Sequence, residues 1–428
     1  MASRSLTLKL APAGVRERSA ITLGTTSILL LLALVPPVRG FSVPKPVVSG
    51  FSGLITTIGS DSSGNLYFVQ NPGNPSVFNE EDLYRVAFES ATPRLVFQSS
   101  FPSAQSVTIS YMSFDGSGNL YFLNQVTYPP DESGNSEIDS EIYKLVASDL
   151  FAPTVLYTAS ASTFCGSAFC ISSGDALVSI GTNSRGDVAA GLLHFSSASG
   201  SIVGELLSIP VKTGIPTVQT TFGENVFPDG QTALAVNDRG DTFLVLLNFT
   251  ASQTVEVAQN GALTVLAETS SSPQTSFPLG LGLDASGDLY LVVRTLIGRQ
   301  CLGVATSTTF TIEEFKHSVL AQATPEPLIV SQQTYSGYII IAGDPTQVRV
   351  SSGGTVFYAS YPSAMTSCSD PLAWRARVLA LRNGDSNPML VAAGTNPPSS
   401  LDFLLLATFG SNLYYASQVS GAIYLVNP

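Results

Sequence analysis

Seven times along this chain a short apolar run breaks at a turn of the form Asp/Asn-x-Ser/Arg-Gly-Asn/Asp, or a weaker version of it, and resumes as a second apolar run. No other feature restricts the fold as strongly. The clearest copies are Ile58–Phe68 (IGSDSSGNLYF), Met112–Phe122 (MSFDGSGNLYF), Leu234–Phe243 (LAVNDRGDTF) and Leu281–Leu291 (LGLDASGDLYL). Weaker copies begin at Ile180 (IGTNSRGDVAA), Val348 (VRVSSGGTVFYA) and Leu405 (LLATFGSNLYYA). Glycine takes positive φ without a Cβ clash, and Asp or Asn side chains bond their own backbone, so each copy reads as an antiparallel hairpin. Hairpins recurring in this way mark a repeat protein.

The residues just after the turns are Leu66, Leu120, Val188, Thr242, Leu289, Val356 and Leu413, spaced by 54, 68, 54, 47, 67 and 57 residues. Further strand-like runs follow each hairpin, such as EIYKLVA from Glu141 and TVLYTA from Thr154, which makes four strands per repeat. Units of four antiparallel strands repeated about seven times predict an all-β chain folded as a β-propeller of seven blades. The last copy has only three strands before Pro428, and Val43–Gly50 (VPKPVVSG) is the segment available to supply the missing outer strand and close the ring. Its prolines suit an edge.

The units resemble NHL-type propeller repeats, which carry a proline-glycine lead-in, an apolar strand ending in Asp, a Ser-Gly-Asn turn and a strand with tyrosine. FPLGLGLDASGDLYLVV from Phe277 carries the pattern most fully, and the copies holding Val188, Val356 and Leu413 have lost the aspartate or the aromatic. The resemblance implies architecture over nearly all of residues 41–428 as one domain, and no activity.

Residues 1–40 have the composition of an export signal. Arg4, Lys9, Arg16 and Arg18 precede the apolar stretch Ile28–Val35, and Val38 and Gly40 are small enough to mark cleavage before Phe41. The alternatives are a cleaved leader and a retained anchor; no later segment is apolar enough to span a membrane. Export predicts a secreted or periplasmic protein. Loss of residues 1–40 takes the formal charge from -12 to -16, which argues against a nucleic-acid partner.

Candidate sites follow from the architecture. Propeller ligands collect where the innermost strands begin, and there Asp175 and Asp229 each stand eleven residues before a turn glycine, with Asp344 and Asp402 at similar places in the sixth and seventh copies. Four carboxylates converging there would call for a divalent cation such as calcium. Connections between second and third strands open on the same end and carry Glu80, Glu81 and Asp82 in the first copy, and Asp131, Glu132, Glu137, Asp139 and Glu141 in the second. The turn acids Asp115, Asp241, Asp284 and Asp288 read instead as conformational, because they lack the ligand run of a calcium loop. Cys301 and Cys368 each lie twelve residues after Leu289 and Val356, so a disulfide across adjacent blades is expected, with a second joining Cys165 and Cys170.

Two histidines, His194 and His317, cannot supply a three-histidine zinc site, and no GxSxG elbow exists. The expectation is a non-catalytic exported propeller that binds a protein or glycan of the cell envelope or exterior through its loops. The alternative is a metal-dependent hydrolase resembling gluconolactonase-type lactonases, which place a glutamate at the first inner strand; VVSGFSGLITT from Val47 has none.

Overall fold

The computed structural model describes residues 41–427, apart from 52, 73–77, 91, 133, 165–172, 197–199, 231, 233, 249–250, 271–274, 302–303, 321, 323, 340–347, 362–375, 394–403 and 418–420. It is nearly all β, with a single helical turn at His317–Leu320 among those residues. The N-terminal strand β1 (Lys45–Val48) is followed by a four-stranded sheet of β2 (Leu54–Ser60), β3 (Leu66–Asn71), β4 (Glu80–Val86) and β5 (Arg94–Ser100). An eight-stranded sheet comes next. It is two consecutive meanders, β6 (Ser106–Phe114), β7 (Leu120–Thr127), β8 (Asn135–Val146) and β9 (Asp149–Phe164), then β10 (Ser173–Thr182), β11 (Val188–Ser196), β12 (Ser201–Ile209) and β13 (Thr217–Glu224). Only Ser162↔Ser173 and Ala161↔Gly174 join β9 to β10.

In the following sheet the first strand is split into β14 (Phe227–Pro228) and β15 (Ala235–Val236), both paired to β16 (Thr242–Leu247), with β17 (Ala251–Val257) and β18 (Leu263–Ser270) outside. Two more four-stranded sheets follow. One holds β19 (Thr275–Leu283), β20 (Leu289–Cys301), β21 (Val304–Phe315) and β22 (Leu328–Ile339); the other holds β23 (Val348–Val350), β24 (Val356–Ser360), β25 (Arg377–Leu381) and β26 (Met389–Ala393). The final strands β27 (Leu404–Phe409), β28 (Asn412–Ser417) and β29 (Ala422–Val426) complete their sheet with β1, which pairs antiparallel to β29 through Lys45↔Leu425 and Pro46↔Tyr424.

First strands of successive sheets lie side by side: β2 touches β6 and β27, β10 touches β6 and β15, and β23 touches β19 and β27. The apolar core lies in layers between neighbouring sheets. Tyr67, Val69, Leu83, Ile109, Leu120 and Phe122 fill the first, and Val48, Ile55, Phe68, Leu405 and Ile423 bring the first and last sheets together. Strands buried on both faces in this way explain runs such as Leu66–Asn71, where every residue is buried. The architecture is that of a β-propeller.

Two expectations from sequence fall outside this description or differ from it. Cys165, Cys170 and Cys368 lie outside the described residues, and so does the side chain of Cys301 at the end of β20. Glu80, Glu81, Asp82, Glu137, Asp139 and Glu141 are not loop residues but belong to β4 and β8, because all six are held in the ladders to β5 and β9, and Asp82, Asp139 and Glu141 pair also with β3 or β7.

Candidate functional site

The two ends of the sheets carry different chemistry, and the turn end comes first because it can be set aside. Asp61 Oδ1 accepts the N–H groups of Ser63 and Asn65 at 3.0 and 2.9 Å, and Asp115 accepts those of Ser117 and Asn119, both at 2.9 Å. Asn183, Asn237 and Asp284 do the same in their own turns. The last turn residue then accepts the N–H at the end of the third strand: Asn65 from Phe88, Asn119 from Ala147, Asp187 from Val211, Asp241 from Gln259 and Asp288 from His317. Amide and acid complement each other within a turn, Asn119 Nδ2 donating to Asp115 at 2.7 Å and Asn237 Nδ2 to Asp241 at 2.9 Å. Where both are acids, Asp284 and Asp288, Lys316 Nζ replaces the amide at 3.0 Å from Asp288. Gly118 and Gly186 hold φ of 78° and 89°, and a Cβ at Gly186 would sit 2.7 Å from the Tyr121 hydroxyl. These carboxylates are occupied by their own backbone.

The opposite end, where first strands begin, is where ligand residues were expected. Asp175 lies near the start of β10 and pairs in register with His194 of β11, its Oδ1 2.6 Å from His194 Nδ1. The two side chains are 38% and 46% exposed. An unbroken ladder running up from Thr182↔Val188 would set Asp175 opposite Phe195; a one-residue bulge at Val178 moves the register and brings His194 across instead. Glu205 of β12 stands opposite Leu192, two residues from His194, so it projects from the same face, and Thr221 pairs with it on β13. Tyr157 of β9 closes the group from the neighbouring meander. Burial raises the pKa of its hydroxyl, and the Asp175 and Glu205 carboxylates push it further up. The result is an open polar group of acid, imidazole, acid and phenol where the two meanders face each other.

Asp229 follows β14 directly, is 8% exposed, and donates its N–H to Val245 at 2.8 Å. It lies beside Tyr111, whose hydroxyl donates to the Gly230 carbonyl and whose pKa is raised by burial first and by Asp229 second. Tyr111 occupies the bulge between Ser110 and Ser113 of β6 at φ 52°, a conformation a bulky residue holds only under tertiary constraint. It thereby links the second first-strand to the segment after β14. Asp175 and Asp229 thus have separate partners, and among the described residues no three His, Cys, Asp or Glu side chains converge on a metal. Asp344 and Asp402 lie outside the described residues.

The acids of β4 and β8 divide by face. Tyr84 donates to Asp82 at 3.1 Å and Tyr143 to Glu141 at 2.7 Å, each tyrosine stacked on a phenylalanine, Phe68 or Phe122, at 5.3 and 5.4 Å between centroids. Gln98 Nε2 bridges Glu80 and Asp82 at 2.8 and 2.9 Å. Glu81 turns the other way, into the junction between the first two sheets, where it is 3% exposed, accepts the Ile109 N–H, and has its pKa pushed up to about 7 by burial. Asp139 and Glu137 lie near the Tyr128 hydroxyl, while Asp131 and Glu132 form an exposed turn.

Tyr157, Glu205 and Tyr111 belong to no motif that marks them in the sequence. Hairpin register was the signal available for His194, and the bulge defeats it.

No family model matches the chain, and no curated protein sequence does. Solved structures do resemble it. An oligogalacturonate lyase from Vibrio parahaemolyticus aligns at TM-score 0.56 and 10% identity, over 91% of this chain and 96% of that one. The β-propeller domain of the Trilobed protease from Pyrococcus furiosus aligns at 0.47 and 9%, over 88% and 94%. A gluconolactonase from Xanthomonas campestris aligns at 0.38 and 10%, over 91% and 99%. Identities this low speak to fold and not to activity. The chain has the β-propeller fold.

Proposed function

We propose that this protein is an exported, NHL-like β-propeller that binds a protein or glycan of the envelope or exterior at the end where its first strands begin. The observation that carries this reading is the solvent-open group of Asp175, His194, Tyr157 and Glu205, which offers acceptors, a donor and an aromatic ring between two rigid meanders. A secreted or periplasmic location rests on the leader-like residues 1–40. A propeller of seven blades closed by the N-terminal strand is supported by the ordered neighbours of the first strands and by the pairing of β1 with β29.

Binding to a panel of neutral and amino-bearing oligosaccharides, read on an array and then by calorimetry, tests the reading. Asp175→Asn and His194→Ala are expected to abolish binding without lowering the melting temperature by more than a degree or two. Binding that survives both changes removes the group from the site.

Hydrolysis is the second reading, because a carboxylate on Nδ1 orients an imidazole for proton transfer at Nε2. Turnover of a simple lactone by the full chain, lost in His194→Ala, would put that reading first.

A further inference from the structure

The junction between the first two sheets is apolar through most of its depth, around Tyr67, Val69, Leu83, Ile109 and Phe122, but turns polar toward the end where the strands begin. Glu81 lies there with one carboxyl oxygen on the Ile109 N–H. Ser99 is its partner in the β4–β5 ladder and so projects from the same face. Asn124 is Ile109's partner in the β6–β7 ladder and shares the face of Leu120 and Phe122, toward the first sheet. Thr56, at the bulge of β2, adds a second hydroxyl beside the carboxyl. Ser99 and Asn124 are 2% and 1% exposed, and Ser99 Oγ and Asn124 Oδ1 have no hydrogen-bond partner among the described residues.

Among the described residues no cation answers the carboxylate. β2 has no titratable residue, β3 and β6 have only Tyr67 and Tyr111, β7 has only Tyr121, and β5 has only Arg94 at its far end. On β4 itself Glu80 and Asp82 project to the other face and Arg85 lies four residues along, and the connection from residue 72 to 79 holds no charged residue. Burying a carboxylate in this way is costly unless something balances its charge, and buried oxygens without partners mark a place where an ion or water belongs. The group consists of oxygen donors alone, which suits alkali and alkaline-earth cations and not zinc or copper.

We propose that this pocket between the first two sheets binds a hard cation of the sodium or calcium class, with Glu81 as its charged ligand and Ser99, Thr56 and Asn124 supplying neutral oxygens. The site is separate from the Asp175–His194 group and does not depend on what that group binds.

Thermal melts of the full chain at pH 8 in sodium chloride, in calcium chloride and in tetramethylammonium chloride of matched ionic strength test it. The expected result is a melting temperature several degrees higher in one or both metal salts, with the difference lost in Glu81→Gln and reduced in Asn124→Ala. Equal melting in all three salts overturns the proposal, and so does a metal effect that survives Glu81→Gln. Should Glu81→Gln fail to fold, Asn124→Ala leaves the Ile109 bond in place and decides alone: a weakened metal effect supports the site, and an unchanged one overturns it.

Discussion

The two ends of this propeller solve the same problem by opposite means. At the turn end one device is used over and over: an Asp or Asn binds its own turn, and the residue four places later ties that turn to the third strand. At the other end four junctions are closed in four different ways. Glu81 accepts the Ile109 N–H, Gln125 Nε2 donates to the Leu177 carbonyl at 2.8 Å, Gly204 donates its N–H to Val226 at 3.0 Å, and the Tyr361 hydroxyl accepts the Leu404 N–H at 3.2 Å. Repetition marks a local folding device shared by five of the turns, and variation marks where individual sheets were free to take on work.

That contrast breaks if the repeated residues prove dispensable. Asp115 is buried and serves two backbone N–H groups, the Asn119 amide and the Tyr121 hydroxyl at 3.1 Å. Asp115→Ala is expected to cost about 3 to 4 kcal/mol, read as a large fall in urea midpoint. Next in size is Glu81. Its folded pKa lies above the unfolded value, so the folded state holds a proton the unfolded state has released; stability is fullest below about pH 4.5 and falls as pH rises toward 7. In tetramethylammonium buffer, Glu81→Gln is expected to flatten this slope and to gain up to about 3 kcal/mol at pH 8 relative to the parent. A parent chain with no such slope would overturn the raised pKa that burial gives Glu81.

A smaller effect sharpens the comparison from the repeated side. Asp284 faces Asp288 where the other turns pair an acid with an amide, and burial together with that neighbour raises its pKa. Asp284→Asn restores the common pattern and is expected to stabilise by about 0.5 to 1 kcal/mol, visible as a raised melting temperature. The smallest change belongs to the varied end: His194→Ala removes an exposed pair and is expected to cost no more than about 0.5 kcal/mol. A loss of several kcal/mol there would make the pair structural and erase the distinction between the ends.

The same contrast explains what could be read from sequence. The turns were legible because their chemistry is local: Asp115, Gly118 and Asn119 lie within five residues and dictate one conformation. The expected outer strand at Val43–Gly50 was legible from the short last copy, and Lys45–Val48 does pair with β29. The candidate site was legible only in part. Asp175 and Asp229 stand near the starts of first strands, but their neighbours depend on bulges at Val178 and at Tyr111–Met112, and bulges have no turn-like signature. Glu81 read as a loop acid because EED after a Pro/Gly/Asn-rich stretch resembles a solvated tip; burial against Ile109 is a tertiary fact.

The bond between β1 and β29 also sets an order of events. A ribosome delivers Lys45–Val48 well before Ala422–Val426, so the first strand waits for all the intervening sheets before it has its partner. Until then β1 has no β29 to pair with, and an uncovered strand edge recruits other chains. Completion is thereby built into the covalent order of the polypeptide: the last sheet is whole only when its earliest and its latest strands both exist.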